Sequence, residues 1–471
     1  MALPNTHFGR EKIAAFLSTP KKIFFAGIGG VSMNSLAHIS KLRGHDVCGY
    51  DRTPSALTKQ LENLGIPVFY ESNPERISDV DVFVYTVAIS DTLPEYKEAI
   101  RLGIPVISRA DYLGYVMSGY KRRIGVSGVH GKSTTTSMLE CIFRVGGTDP
   151  TVSCGAPMKD AGNRCDRIGG DEYFIFEACE YMDSFLDFYP TDAVVLNIEA
   201  DHLDYFSGIE QIRDSFGKFM SRTGETGTVY LNCTDENVML AAKDYKGKIV
   251  TFGIETPEAD YNAADVSFSH GMPSFTVTYR GESLCHVQLS VPGMHNVSDA
   301  IAAASVAFEC GISPEKLVEA LALFSGAGRR MDFCGKTDCG ADIYDDYAHH
   351  PTEIRATLDA ALSMDYKRIF AVFQPHTFTR TKELFDDFAD VLAKRGITKI
   401  LLADIYPARE TDTLGVSSAL LAEAVVKRGG NCLAVPTKEE ITEFLLRESG
   451  KGDIILVMGA GDIGALCTML L

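Results

Sequence analysis

Short apolar runs alternate along the chain with longer stretches of helical period, and the alternation recurs in three blocks. In the first, Ile23–Ala26 reads as a buried strand closed by a glycine turn. Met33, Leu36, Ala37 and Leu42 then predict a helix with one apolar side, and a second strand ends at Asp51. Strand, glycine loop, helix and strand make a βαβ unit. "DVFVYT" and "IPVIS" continue the parallel pattern to about residue 118.

The second block begins at "YKRRIGVSGVHGKSTTTSMLECIF". Ile124–Ser127 forms its strand, and Met138, Leu139, Ile142 and Phe143 mark a helix face. "YFIFEA" and "DAVVLNIEAD" read as further strands, and "VPGMHNVSDAIAAASVAFEC" as a loop and an alanine-rich helix. Between roughly residues 225 and 292, alternation such as "SFTVTYR" predicts antiparallel strands in a small separate sheet. A third block follows "FSGAGRRMDF", where "IYDDYAHHPTEI", "RIFAVFQPH", "KILLADIY" and "DIILVMGAGDIG" alternate strands with helices. The expected class is α/β in three domains: residues 1–118 Rossmann-like, 119–327 a phosphate-loop domain with a mostly parallel sheet, and 328–471 Rossmann-like.

The chain length of 471 residues agrees with three domains of about 150 residues each. The net charge of -18 argues against a nucleic-acid partner and draws attention to cations in glycine-rich loops. Twelve cysteines show neither C-x-x-C pairs nor zinc spacing, which favours reduced thiols in a cytoplasmic protein. The N-terminal stretch lacks the apolar core of a signal peptide, and no apolar run approaches the ~20 residues that span a bilayer.

Candidate chemistry centres on "GVHGKSTTT", Gly128–Thr136. The usual phosphate loop needs a glycine where Val126 stands, so this is a shorter G-x-x-G-K-S. The plainer alternative is a tight turn with one exposed lysine. A strand before it and a helix after it favour phosphate held by backbone N–H groups, with Lys132 neutralising its charge and the Ser133 hydroxyl on magnesium. Glu177 ends one strand as a metal-binding acid does; Glu199, Asp201 and His202 end another. For Glu199 and Asp201 a solvated strand end is an equal reading. The Gly27–Ser32 loop, with Gly29 and Gly30, carries Ser32 at its third fingerprint position, and Asp51 stands where a ribose-binding acid could. It fits NAD or another anionic nucleotide. His349, His350 and His376 match no standard zinc spacing and fit polar loops around an acceptor, where Arg380 could clamp a carboxylate.

In order, "AGIGGVSM", "GVHGKSTTT", "NIEADHLDYF", "GMHNVSDA", "GAGRRMDF", "DDYAHHPTEI" and "FQPHTFTRT" resemble the Mur ligases of peptidoglycan synthesis over nearly the whole chain. The family uses a short G-x-x-G-K-[ST] loop, and the last two motifs point to its alanine-adding branch. The resemblance implies a UDP-sugar domain, a central ATPase and an amino-acid domain in the cytoplasm. The substrates it implies are UDP-N-acetylmuramate, L-alanine and ATP, with Mg2+. ATP would lie against Gly128, His130, Gly131, Lys132, Ser133 and Thr134, with Asn296 at the adenine and Arg330 and Asp345 reaching from the last block. Ser133, Glu177 and His202 would form the metal site. Gly27, Gly29, Gly30 and Ser32 would face the UDP diphosphate, with Asp51 near the uridine. Tyr347, His349 and Arg380 would line the alanine site, and Lys132, His202, His349 and Arg380 would carry catalysis.

Departures are Asp299 for the second Asn of H-N-x-x-N, Val129 for a usual Thr, and no convincing counterpart of the carbamylated lysine of some relatives, Lys218 being out of register. A ligase that recycles a ready-made tripeptide is the alternative within the family. An NAD-dependent oxidoreductase rests on the first glycine loop alone, and a non-catalytic ATP-binding switch leaves the His and Arg set unexplained.

Overall fold

The computed structural model describes residues 3–202, 205–408, 410–411 and 414–471. Its first sheet has strands β1 (Lys22–Ala26), β2 (Asp46–Tyr50), β3 (Val68–Phe69), β4 (Val82–Tyr85) and β5 (Val106–Ser108). Their order is β3-β2-β1-β4-β5 and every pairing is parallel. Connections leave β1 and β4 in opposite directions, opening a crevice at the carboxyl ends of these strands where such sheets take ligands. The helix Val31–Leu42 buries Met33, Leu36, Ala37 and Ile39. Leu42, expected on that face, is 60% exposed. At about 3.6 residues per turn it falls half a turn away from Met33. Ser40 takes the inward place instead and bonds Tyr112 at 2.7 Å.

The second sheet begins with β6 (Arg122–Ser127), β7 (Thr151–Met158), β8 (Arg164–Arg167), β9 (Tyr173–Glu177), β10 (Asp192–Val195), β11 (Thr228–Asn232) and β12 (Lys248–Ile254). β6 lies between β9 and β10, parallel to both, and only the β7–β8 pair among these seven strands is antiparallel. Strands β13 (Tyr261–Ser269), β14 (Met272–Tyr279) and β15 (Glu282–Gln288) follow β12 in the same sheet order. The separate small sheet expected there is an extension of the central one.

A third sheet contains β16 (Asp332–Lys336), β17 (Asp342–Asp346), β18 (Arg368–Phe373), β19 (Lys399–Leu402), β20 (Cys432–Ala434) and β21 (Asp453–Met458). Its order is β16-β17-β21-β18-β19-β20, parallel except for the β16–β17 hairpin. Apolar side chains cover both faces of it: Phe373 and Leu456 on one, Val372 and Val457 on the other.

By contacts the chain divides into two compact units. One comprises residues up to Asn262 with Thr278–Ser283 and Asp299–Ala320; the other comprises Ala263–Val277, Leu284–Ser298 and Leu321–Leu471. In the first unit one apolar core runs from Ile13 through Leu113 to Phe176 and Phe216, so the opening sheet and the central sheet share an interior. All twelve cysteines are free thiols. Among the described residues no helix is long and apolar enough to cross a membrane.

Candidate functional site

The central loop of the first unit leaves β6 and enters the helix Lys132–Val145 at its N-cap, Gly131. Gly131 holds φ 85°, which favours glycine, and a Cβ there would stand 2.4 Å from Asp299 Oδ1. Asp299 Oδ1 also accepts a 3.1 Å bond from the Thr135 hydroxyl. Asp299, the departure from the usual Asn, therefore packs under the loop and ties the helix to its neighbour. The backbone of His130 is clamped from both sides, its N–H donating to Asn197 Oδ1 at 2.8 Å and its carbonyl accepting from Asn197 Nδ2 at 3.0 Å. The helix's first N–H groups have no partner within the helix and lie where an anion can take them.

Around this loop the charged groups interlock. Lys132 Nζ donates to the carbonyls of Gly128 at 2.6 Å and Val129 at 3.1 Å, and to Glu180 Oε2 at 3.2 Å. Burial alone would lower the Lys132 ammonium, but Glu180, Cys179 and Glu177 outweigh it and hold the pKa above the usual lysine value. Lys132 thus stays a cation. Ser133 Oγ donates to Glu177 Oε2 at 2.8 Å, which also accepts from the Gly155 N–H at 2.7 Å. His202 sits at φ 54°, its ring 4.7 Å from that of Tyr181. Its Nε2 lies 3.9 Å from both Glu180 Oε1 and Asp201 Oδ2. Leu203 and Asp204 of the same motif lie outside the described residues. Glu180, 2% exposed, stands between Lys132 and His202. Thr134 is buried in the first helical turn.

Ser133 and Glu177 offer hard oxygen donors side by side, the chemistry magnesium prefers. The imidazole of His202 fits it less well.

The first glycine loop lies at the carboxyl end of β1. Gly27 and Ile28 donate N–H bonds to Tyr50 O at 2.8 and 3.0 Å. Asp51 Oδ2 accepts the Gly29 N–H at 2.8 Å, and a Cβ on Gly29 would stand 2.7 Å from that oxygen. The carboxylate expected near a ribose is thus bound to the loop's own backbone. Gly30 caps the helix Val31–Leu42, and the buried Ser32 Oγ in its first turn has no hydrogen-bond partner among the described residues.

The second unit gathers the remaining candidates around a turn and a hairpin. Arg329 at φ 57° and Met331 at φ 44° twist the backbone, and Arg329 engages Asp345, with Nε 2.9 Å from Oδ2. Asp345 Oδ1 is buried and accepts no hydrogen bond from the described residues. Arg330 NH1 lies 3.6 Å from Glu353 Oε1. Both guanidinium groups lie over the Tyr347 ring, at 4.9 and 5.3 Å from its centroid.

His349 Nδ1 is 3.0 Å from Tyr347 O and 3.2 Å from Glu353 Oε2, while His350 caps the helix Pro351–Ser363. The rings of His349 and His376 are 6.1 Å apart, and His376 stacks on Tyr406 at 5.6 Å. Arg380 lies near His376, whose pKa is lowered first by burial and then by that cation. Thr377 at φ 65° caps the short helix Phe378–Glu383 that carries Arg380. Asn296 Nδ2 donates to Pro292 O at 2.7 Å.

Sequence reading missed Glu180, Asn197, Arg329 and Glu353 as partners. Glu180 lies three residues past Glu177 in "FIFEACE", and Asn197 inside "NIEADHLDYF", so the motifs contained them without distinguishing them.

Three family models match in succession: Mur ligase family, catalytic domain, over residues 22–121; Mur ligase middle domain over 126–307; and Mur ligase, glutamate ligase domain over 329–461. The UDP-N-acetylmuramate--L-alanine ligase of Acetivibrio thermocellus is 43% identical over 452 residues, covering 96% of each chain. That of Caldanaerobacter subterraneus is 44% identical over 444 residues, 94% of this chain and 95% of the relative. The crystal structure of UDP-N-acetylmuramate-alanine ligase from Thermotoga maritima aligns with TM-score 0.81 at 26% identity, covering 96% of this chain and 98% of that one. A murein peptide ligase from Psychrobacter arcticus shares the fold at TM-score 0.71 and 23% identity, over 96% of this chain and 98% of that one.

Proposed function

The chain belongs to the Mur ligase family, and we propose that it joins L-alanine to the lactyl carboxylate of UDP-N-acetylmuramate with ATP, making a peptidoglycan precursor in the cytoplasm. The observation that carries this reading is the Lys132–Glu180 and Ser133–Glu177 pairing around a short phosphate loop, in a chain that matches alanine ligases over 96% of its length.

A carboxylate is a poor electrophile. Its lactyl oxygen attacks the γ-phosphorus of ATP, the bond to the β–γ bridging oxygen breaks, and ADP leaves an acyl phosphate behind. Lys132, kept cationic by Glu180, and the N–H groups of the helix start offset the charge on the transferring group. Ser133 and Glu177 would hold magnesium, with His202 beside them; when bound, the ion supplies positive charge against phosphate repulsion. The neutral amine of L-alanine then attacks the acyl carbon. Phosphate departs and an amide forms.

Residues 1–118 would hold the UDP-sugar, with Gly27–Ser32 at the diphosphate and Asp51 as the loop's brace. Residues 119–327 would carry ATP, and residues 328–471 the amino acid, with Tyr347, His349 and Arg380 at the alanine. Asn296 would meet adenine, and Arg330 and Asp345 would contact ATP. Arg380 suits a carboxylate because its planar fork bonds both oxygens. The test is ADP release with UDP-N-acetylmuramate across an amino-acid panel that includes the tripeptide of the recycling reaction. Release that depends on L-alanine is expected; release with the tripeptide alone would move the chain to the recycling branch.

A further inference from the structure

Met182 (φ 54°, ψ 33°) and Asp183 (φ 55°, ψ 23°) follow one another in the left-handed backbone region. His202, at φ 54°, is a third such residue close by: the ring of Tyr181, just before the pair, lies 4.7 Å from its imidazole. Left-handed backbone is costly for a side chain such as methionine's and persists only where the surroundings over-determine it. Here the Asp183 N–H donates to Glu180 O at 2.9 Å, Asn5 Nδ2 to Met182 O at 3.2 Å and Ser184 Oγ to Tyr181 O at 2.7 Å. The reversal thus starts at the residue that holds Lys132, and every group named lies in the first unit.

The Asp183 carboxylate fastens this turn to two further elements. Its Oδ2 accepts the Tyr205 hydroxyl at 2.8 Å, and its Oδ1 accepts the Ser215 hydroxyl from the helix Ile209–Ser221. Tyr205 is tied to His202 in turn, because the N–H groups of Tyr205 and Phe206 both donate to the His202 carbonyl at 2.9 Å. Phe206 is buried and anchors that turn. The Tyr205 ring also meets the Tyr181 ring edge-on at 6.3 Å. Asp183 therefore closes a circuit of contacts that runs through Tyr205, His202 and Tyr181.

Little else holds the imidazole. Among the described residues it makes no hydrogen bond, and Glu180 Oε1 and Asp201 Oδ2 lie 3.9 Å from its Nε2, beyond hydrogen-bond reach. The direction of the ring is set by the face of Tyr181 and by the turn that carries it, and both lead to Asp183. We propose that Asp183 is a positioning residue for the ligation, acting through Tyr181 and Tyr205 to hold the His202 imidazole beside Glu180 and the phosphate loop. The strain at Met182 and Asp183 is then the cost of bringing Tyr181 against His202. This rests on the ligase reading, in which His202 stands beside the metal site, but its test includes a readout that needs no turnover.

The full chain is prepared with isotope-labelled histidine, without ligands, as wild type, Asp183→Ala, Asp183→Asn and Tyr205→Phe. The His202 imidazole resonance, assigned by its loss in His202→Gln, reports the neighbouring Tyr181 ring. In Asp183→Ala it should move to the position of an ordinary exposed histidine, with kcat falling roughly 10- to 100-fold and the KM for L-alanine and for UDP-N-acetylmuramate unchanged. Asp183→Asn keeps an acceptor for Tyr205 and gains an amide donor for Ser215, so it should recover most of both. Tyr205→Phe alters a side chain that is 38% exposed, so it keeps the test open if Asp183→Ala does not fold, and its resonance should shift the same way. An unmoved resonance in Tyr205→Phe and in any folded Asp183 variant would overturn the proposal. So would a moved resonance with unaltered kcat, or kcat, both KM values and the thermal midpoint worsening together with Asp183→Asn no better than Asp183→Ala. Absence of alanine-dependent ADP release in the wild type would instead count against the ligase reading, leaving the resonance to report whether Asp183 orients His202.

Discussion

Glu180 holds Lys132, its Oε2 3.2 Å from the ammonium, while its Oε1 lies 3.9 Å from His202 Nε2. One buried carboxylate therefore holds the phosphate-loop cation and stands between it and the histidine that follows the neighbouring strand. Neither partner is within forty residues of the other in sequence.

Lys132→Ala should abolish ligation, with a loss of at least about 10²-fold in kcat. It should also lower stability by about 3 kcal/mol, because Glu180 is left buried and unpaired. The double variant Lys132→Met with Glu180→Gln should restore the urea midpoint but not turnover. A double variant as unstable as the single one would mean that the pair is not what the stability loss reports.

Gly131→Ala forces a side chain into φ 85° and against Asp299 Oδ1. We expect about 1–3 kcal/mol of destabilisation and a raised KM for ATP. Asp299→Asn can still accept the Thr135 hydroxyl through its amide oxygen, so its KM for ATP should stay within a few-fold of wild type. If Asp299→Asn behaved like Gly131→Ala, the negative charge itself would be needed under the loop.

Arg380→Ala should raise the KM for L-alanine roughly 10- to 100-fold while leaving ATP binding unchanged, and Arg380→Lys should recover only part of it. Initial rates over an alanine series, with calorimetry for ATP, separate the two. An unaltered alanine dependence would remove Arg380 from the acceptor site.

The second unit carries two opposed titrations around Arg330 and Glu353. Burial, with Arg330 second, lowers His295 from 6.5 to about 4. Burial raises Asp346 from 3.8 to about 6, against Arg330 and the N–H bonds of Met331 and Ala348. Between pH 3.8 and 6 folded Asp346 binds more protons than the unfolded chain, so its contribution falls as pH rises. For His295 the unfolded chain binds more protons between pH 4 and 6.5, so its contribution rises with pH. Urea midpoints of His295→Gln should therefore decline relative to wild type as pH goes from 4 to 6, and those of Asp346→Asn should climb. Parallel profiles for all three proteins would show that neither group titrates as described.

The sequence by itself determined the strands, the phosphate loop and the family, because each rests on short-range pattern. A run such as Ile23–Ala26 is buried whatever its neighbours, and Gly131 before Lys-Ser starts a helix by local backbone rules. Periodicity placed Met33, Leu36 and Ala37 inward; Leu42 faces out because nine positions beyond Met33 are about two and a half turns, which brings it to the opposite side of the helix. What tertiary structure decided was partnership. Arg329 and Arg330 are equivalent in sequence, and only the backbone twist at Arg329 and Met331 sends the first to Asp345 and the second toward Glu353. Asp299 reads as a flawed adenine motif until Thr135 and Gly131 are seen against it. Each of these depends on which distant groups share a small volume, and pairwise electrostatics over a few ångströms cannot be read from spacing along a chain.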